Sequence, residues 1–190
     1  MKPPEINVTA IAPEIVMTLS ALVVLLLEVF LKRREKRGYL GVLSAIGVVV
    51  AFFFTLPLMG AEMSAFGGMF TNDGYGLFFK VIFLLIAFLT LLISIGYARR
   101  VEIEGGEYYA LILLATVGMM LMASGTHLIT LFLGLETMSI SIYVLAGMMR
   151  EDRRSVESAL KYFLLGAFAT GFLLYGMAYV YGATGSLLLK

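Results

Sequence analysis

Six runs of roughly 20 apolar residues each, the length that crosses hydrocarbon as a helix, leave this chain few ways to fold. They are separated by short stretches that hold most of the basic side chains. With 61% hydrophobic and only 14% charged residues in 190, the sequence has more apolar surface than one small soluble core could bury. A mean hydropathy of +0.96 agrees with this. The fold class expected is an all-α, polytopic bundle of about six transmembrane helices.

The spans read as Pro13–Leu31, Tyr39–Met59, Leu77–Tyr97, Tyr108–Ala123, Leu128–Met149 and Val156–Tyr181. The turn "SGTH" between the fourth and fifth is tight and predicts a helical hairpin. Gly60–Gly76, with five glycines, reads as a loop with room for a short interfacial helix. The first span has its positive charge after the apolar run and lacks a small-residue cleavage site, so it is expected to remain in the mature protein.

Charge is strongly segregated. "KRREKR", Arg99 with Arg100, and Arg150 with Arg153 and Arg154 place ten basic residues in alternate loops. The opposite side holds Lys2 and Lys190 near the ends, with Lys80 just inside the third span. Positive loops stay in the cytoplasm, which predicts that both ends lie outside.

Composition also excludes chemistry. Without cysteine there is no disulfide, thiolate-held iron–sulfur cluster or cysteine zinc site, and the single His127 cannot supply a bis-histidine haem. No glycine-rich phosphate loop follows a strand, and nothing points to nucleic acid. Any redox cofactor is expected on another subunit.

Most polar residues in or near the spans have ordinary readings. Glu14 beside Pro13 suits the first turn of a helix. Glu28 precedes Lys32 by four residues, the favourable order for an ion pair. Lys80 is near enough to the outer interface to snorkel, and His127 suits a hydrated turn. Glu136 differs. It lies eight residues after Leu128, about 12 Å from the outer end of its helix, and 13 before Met149, about 20 Å from the inner end. A glutamate is too short to snorkel over that distance. Ser139 and Tyr143 follow on the same stripe, which should face protein or water instead of lipid. Carboxylates at such depth usually mark ion or proton paths, the other reading being a protonated structural glutamate bonded to a neighbouring helix. Lys161, about 9 Å inside the sixth span if Ser155 caps it, could pair with Glu157 or serve such a path. Its depth differs from that of Glu136 by roughly 10 Å, so no direct contact between the two is expected. Ala167 and Gly171, with Gly166, Gly176 and Gly182, offer points of close helix approach.

"LFLGLETMSISIYVLAGMMRED", followed by "SVESALKYFLLGAFATGFLLYGMAYVYGATG", resembles the subunit N family of bacterial NADH:quinone oxidoreductase, respiratory complex I. "IAPEIVMTLSALVVLLLEVF", "FTNDGYGLFFKVIFLL" and "GEYYALILLATVGMMLMASG" are similar to the family's first span, the start of its third and its fourth. The sister L and M subunits and cation/proton antiporter subunits usually carry tryptophan before the glutamate. Leu135 stands there in this chain, which has no tryptophan. The resemblance implies a proton-pumping, antiporter-like subunit of the membrane arm, in a multi-pass position in the bacterial inner membrane. Glu136 matches the family's fifth-helix glutamate and Lys161 its sixth-helix lysine. The resemblance further implies NADH, FMN, iron–sulfur clusters and quinone on other subunits, with no cofactor held here, and M- and K-type subunits as neighbours in the bilayer. The family continues into inverted repeats. The chain is therefore expected to be a portion of the subunit, with residues 1–107 as three lead-in helices and 108–190 as the first part of a repeat. A nearby carboxylate favours a protonated lysine while desolvation opposes it, so relative movement of the two would bind or release a proton. The other readings are the equivalent subunit of a cation/proton antiporter or membrane-bound hydrogenase complex, and a non-pumping scaffold.

Overall fold

The computed structural model describes residues 7–30, 38–60, 62–101, 103 and 105–189. Among these are six long helices: α1 (Ala12–Phe30), α2 (Gly38–Thr55), α3 (Gly74–Arg100), α4 (Gly106–Ser124), α5 (Leu128–Ala146) and α6 (Arg153–Thr184). All six are long and apolar enough to cross a membrane, as hydropathy predicts. The "KRREKR" segment lies outside the described residues, as do Lys2 and Lys190.

The helix ends follow local chemistry. Asp73 caps α3, its carboxylate accepting from Gly76 N at 2.7 Å. His127 caps α5 through Nδ1, which accepts from Ile129 N at 3.1 Å. α6 begins two residues before Ser155, capped by Asp152 and not by Ser155 as expected. Ser155 sits inside the first turn and donates instead to Ala146 O at 2.7 Å, which clips α6 to the end of α5. An aspartate ahead of the run serves α6 better, because an ionised acceptor also complements the positive end of the helix dipole.

Between α2 and α3 the structure has a small antiparallel hairpin, β1 (Met63–Ala65) with β2 (Phe70–Asn72), instead of an interfacial helix. Gly67 and Gly68 turn it with φ of 64° and 88°, a backbone that glycine adopts without a Cβ clash. The hairpin then seals the α4–α5 turn. Phe70 bridges to Gly125, Thr126 N donates to Met69 O at 3.1 Å, and Thr126 Oγ1 donates to Gly68 O. The segment after α6 closes the other side, with Leu128 N donating to Leu187 O at 2.9 Å and Leu189 N to Thr126 O at 3.0 Å.

α4 is the centre of the bundle and packs against α1, α2, α3 and α5. The core joins Met17, Val24, Leu40, Leu84, Leu91, Leu113 and Met120, all almost wholly buried. Buried Ala21, Ala51, Ala87, Ala98 and Ala110 let the backbones approach, as membrane bundles require when lipid is as apolar as leucine. The closest crossing joins α4 to α5, the predicted helical hairpin. A Cβ on Gly118 would lie 2.5 Å from both Gly134 O and Met138 N, and one on Gly134 would lie 2.8 Å from Gly118 O. The glycines singled out on α6 are not used this way. Gly171, Gly176 and Gly182 have open space where a side chain would stand, and only Gly166 meets a neighbour. α6 packs chiefly on α5 and leaves much apolar surface exposed.

The crossing yields a direct expectation. Gly118→Val should force α4 and α5 apart and cost about 1–3 kcal/mol, read as less folded subunit surviving heating in detergent. Gly96→Ala, where nothing lies within 4 Å of the new methyl, should leave that yield unchanged.

Candidate functional site

Glu136 stands two residues beyond Gly134, so the α4–α5 crossing fixes the depth and rotation of the turn that carries it. Its stripe faces α6, where the periodicity predicts protein or water. Thr170 Oγ1 donates to Glu136 Oε1 at 2.8 Å. Seven residues on, the Tyr143 ring packs edge-to-face on Tyr162 and Phe163, with centroids 4.8 and 5.8 Å away. The Tyr143 hydroxyl lies against the α-carbon of Gly166, where any side chain would collide with it. Ser139 is half-buried between them in sequence. Glu136 is itself half-buried, and its second oxygen has no hydrogen-bond partner among the described residues. The site is thus a carboxylate held by one neutral hydroxyl, with capacity for another donor, a water or a proton.

Lys161 does not join it. Its Nζ donates to Glu157 Oε1 at 2.6 Å in an exposed i,i+4 pair. Thr170 is nine residues further along α6, roughly 13 Å away in axial rise. Lys161 and Glu136 therefore occupy different levels, as their sequence depths predict.

Two other carboxylates have roles that local sequence does not reveal. Glu28 Oε2 accepts from Gly106 N at 2.8 Å and so caps the N-terminus of α4 from α1. Lys32, its expected partner, lies outside the described residues. Glu14 and Lys80 depart further from expectation. Lys80 does not snorkel: its side chain is fully buried, and its Nζ lies 2.7 Å from Glu14 Oε1, with Glu14 only 4% exposed. The ammonium also donates to Asn72 Oδ1 and stands 4.6 Å from the centre of the Phe70 ring. Asn72 is held in turn by its own bond to Ala10 O, and Ser124 Oγ donates to the same Oδ1 at 3.3 Å. Four segments meet there: the start of α1, the hairpin, α3 and the end of α4. The hairpin folds over Lys80 and shuts off the route by which it would have reached the interface. Local sequence carries no signal for this pairing, because Glu14 stands 66 residues before Lys80.

No cluster of three or more His, Cys, Asp or Glu able to hold a metal ion occurs among the described residues.

With this geometry in view, the comparisons can be placed. Residues 125–190, covering α5 and α6, match the family described as NADH:quinone oxidoreductase/Mrp antiporter, transmembrane. The chain is 51% identical over 181 residues to NADH-quinone oxidoreductase subunit N of Trichlorobacter lovleyi, which covers 95% of this chain and 37% of that protein. It is 45% identical over 183 residues to subunit N of Chloroflexus aggregans, covering 96% and 37% respectively. In structure it is similar to a chain of respiratory complex I from Thermus thermophilus, with a TM-score of 0.78 and 33% identity over 94% of this chain and 38% of that one. A chain of the archaeal membrane-bound sulfane sulfur reductase has the same fold, with a TM-score of 0.66 at 22% identity, and it too covers 94% of this chain and 38% of its own length. The chain spans a little over a third of the length of the curated relatives it matches. By sequence along nearly its whole length, and by its fold, the chain belongs to the NADH-quinone oxidoreductase subunit N family of antiporter-like membrane subunits.

Proposed function

We propose that this chain is part of a proton-translocating membrane-arm subunit of an NADH:quinone oxidoreductase, in which Glu136 exchanges charge inside the bilayer. The observation that carries this is Glu136 itself, about 12 Å along α5, held by the Thr170 hydroxyl and by no cation among the described residues. A carboxylate left without a fixed countercharge responds to any cation or proton that approaches it. NADH, FMN, the iron–sulfur clusters and quinone belong on other subunits, and M- and K-type subunits are the expected neighbours. Residues 1–107 act as lead-in helices and 108–190 begin a repeat, a division supported by the family match at 125–190. Lys161 takes the family's sixth-helix role; its exposed ammonium is available to a partner beyond Glu157.

The loop charges support a multi-pass place in the bacterial inner membrane with the hairpin end outside the cytoplasm. Ser64 lies exposed on β1. A Ser64→Cys variant should react with an impermeant thiol reagent added to cells whose outer barrier is open, and labelling only after the inner face is exposed would reverse the orientation.

In membranes that carry the full-length subunit, Glu136→Gln should abolish most proton translocation while the complex assembles at its normal level. Lys161→Ala should lower translocation less severely. Normal translocation by an assembled Glu136→Gln complex would reduce the subunit to a scaffold.

A further inference from the structure

We propose that Glu14 and Lys80 form a second proton-exchange site, at the hairpin end of the bundle and separate from Glu136. The inference rests on the proton-translocation reading for its purpose, and on its own geometry for its existence.

Three observations support it. First, the pair is enclosed: Lys80 is fully buried and Glu14 nearly so. Second, the lysine is aimed. Its Nζ has Glu14 Oε1 at 2.7 Å and Asn72 Oδ1 as its second acceptor, and Asn72 is itself anchored to Ala10 O. Third, the carboxylate is incomplete, because Glu14 Oε2 is buried and has no hydrogen-bond partner among the described residues. A carboxylate serving only to neutralise a lysine gains nothing from an orphaned oxygen, whose burial is unfavourable. An oxygen without a fixed bond leaves Glu14 a second position at which to exchange a proton.

The step balances within the pair. One N–H bond of Lys80 breaks and its electrons remain on nitrogen, while an O–H bond forms on Glu14 Oε1. The ion pair becomes two neutral groups, the net charge is unchanged, and no co-reactant is required. In a dry interior the cost of desolvating two ions offsets much of their attraction. Glu14 is two residues into α1 and Lys80 six into α3, so they stand about 3 and 9 Å from the helix starts at the hairpin end. A proton taken up at Glu14 therefore has a short way to the aqueous face. Asn72 and Ser124, at the end of α4, continue the polar contacts toward the α4–α5 turn.

A merely structural pair would need the charges but not the proton transfer. Two variants of the full-length subunit in its assembled complex separate these roles. Lys80→Arg keeps the cation but does not release a proton. Glu14→Gln combined with Lys80→Met removes both charges together, so neither is left buried and unpaired. If the pair exchanges protons, at least one variant assembles normally, and each that assembles loses most of its proton translocation. The turnover-induced infrared difference spectrum of wild type should also contain a carboxylic C=O band that is missing from the double variant. Normal translocation by either assembled variant overturns the proposal, as does a spectrum with no such band. If neither variant assembles, the pair belongs to folding and the proposal likewise falls. Glu136→Gln in the same preparation reports on the broader reading separately, and the Glu14 band stands or falls without it.

Discussion

Hydrocarbon has no water to offer a polar group, and this one constraint orders the whole bundle. Each polar side chain within a span must find its partner on its own helix or on a neighbour. Ser44, Thr116 and Ser141 solve this locally by donating to the carbonyl four residues earlier. Other polar groups reach across and tie helices together. Glu28 joins α1 to α4, Ser94 and Tyr108 join α3 to α4 at 3.1 Å, and Glu14 with Lys80 joins α1 to α3 directly, with the hairpin asparagine as a second acceptor for the lysine. Thr170 and Glu136 join α6 to α5. Packing of small residues lets the helices approach, and these links fix which helix faces which.

The part of this that could be read from the sequence has a clear physical limit. Hydropathy located every span, because each one must satisfy the bilayer by itself. Periodicity placed Glu136 and Tyr143 on one stripe facing protein, because helical geometry is local. Pairings between distant residues were hidden. Lys80 lies near the start of α3, where local reading sends a lysine to the interface, yet Glu14, 66 residues earlier, holds it inside. Glycine counts likewise pointed to α6, whereas the tight crossing uses Gly118 and Gly134. A glycine's purpose depends on what stands opposite, and a single sequence does not show that. The hairpin was missed because its three-residue strands are too short to show alternation, and the Ser155 cap because Asp152 offers a charged alternative three residues earlier.

Glu14 and Glu136 differ in a way that bears on function. Glu14 has a resident ammonium, so its charge is matched within the described residues. Glu136 has only a hydroxyl, so its charge is open to whatever comes next to it. A hydroxyl bond orients the carboxylate without neutralising it. The stacking of Tyr143 on α6 and the close crossing at Gly134 hold the surrounding turn in place. The scaffold thus positions Glu136 firmly and leaves its charge unmatched among the described residues, as the proposed charge exchange requires.

That claim is tested most directly by a structure of the assembled complex containing the full-length subunit, at a resolution that shows ordered water. The account predicts a lysine ammonium or an ordered water within hydrogen-bond distance of the second oxygen of Glu136, continuing to further polar groups. A face sealed by apolar side chains, with Thr170 as the sole partner of the carboxyl group, would contradict it.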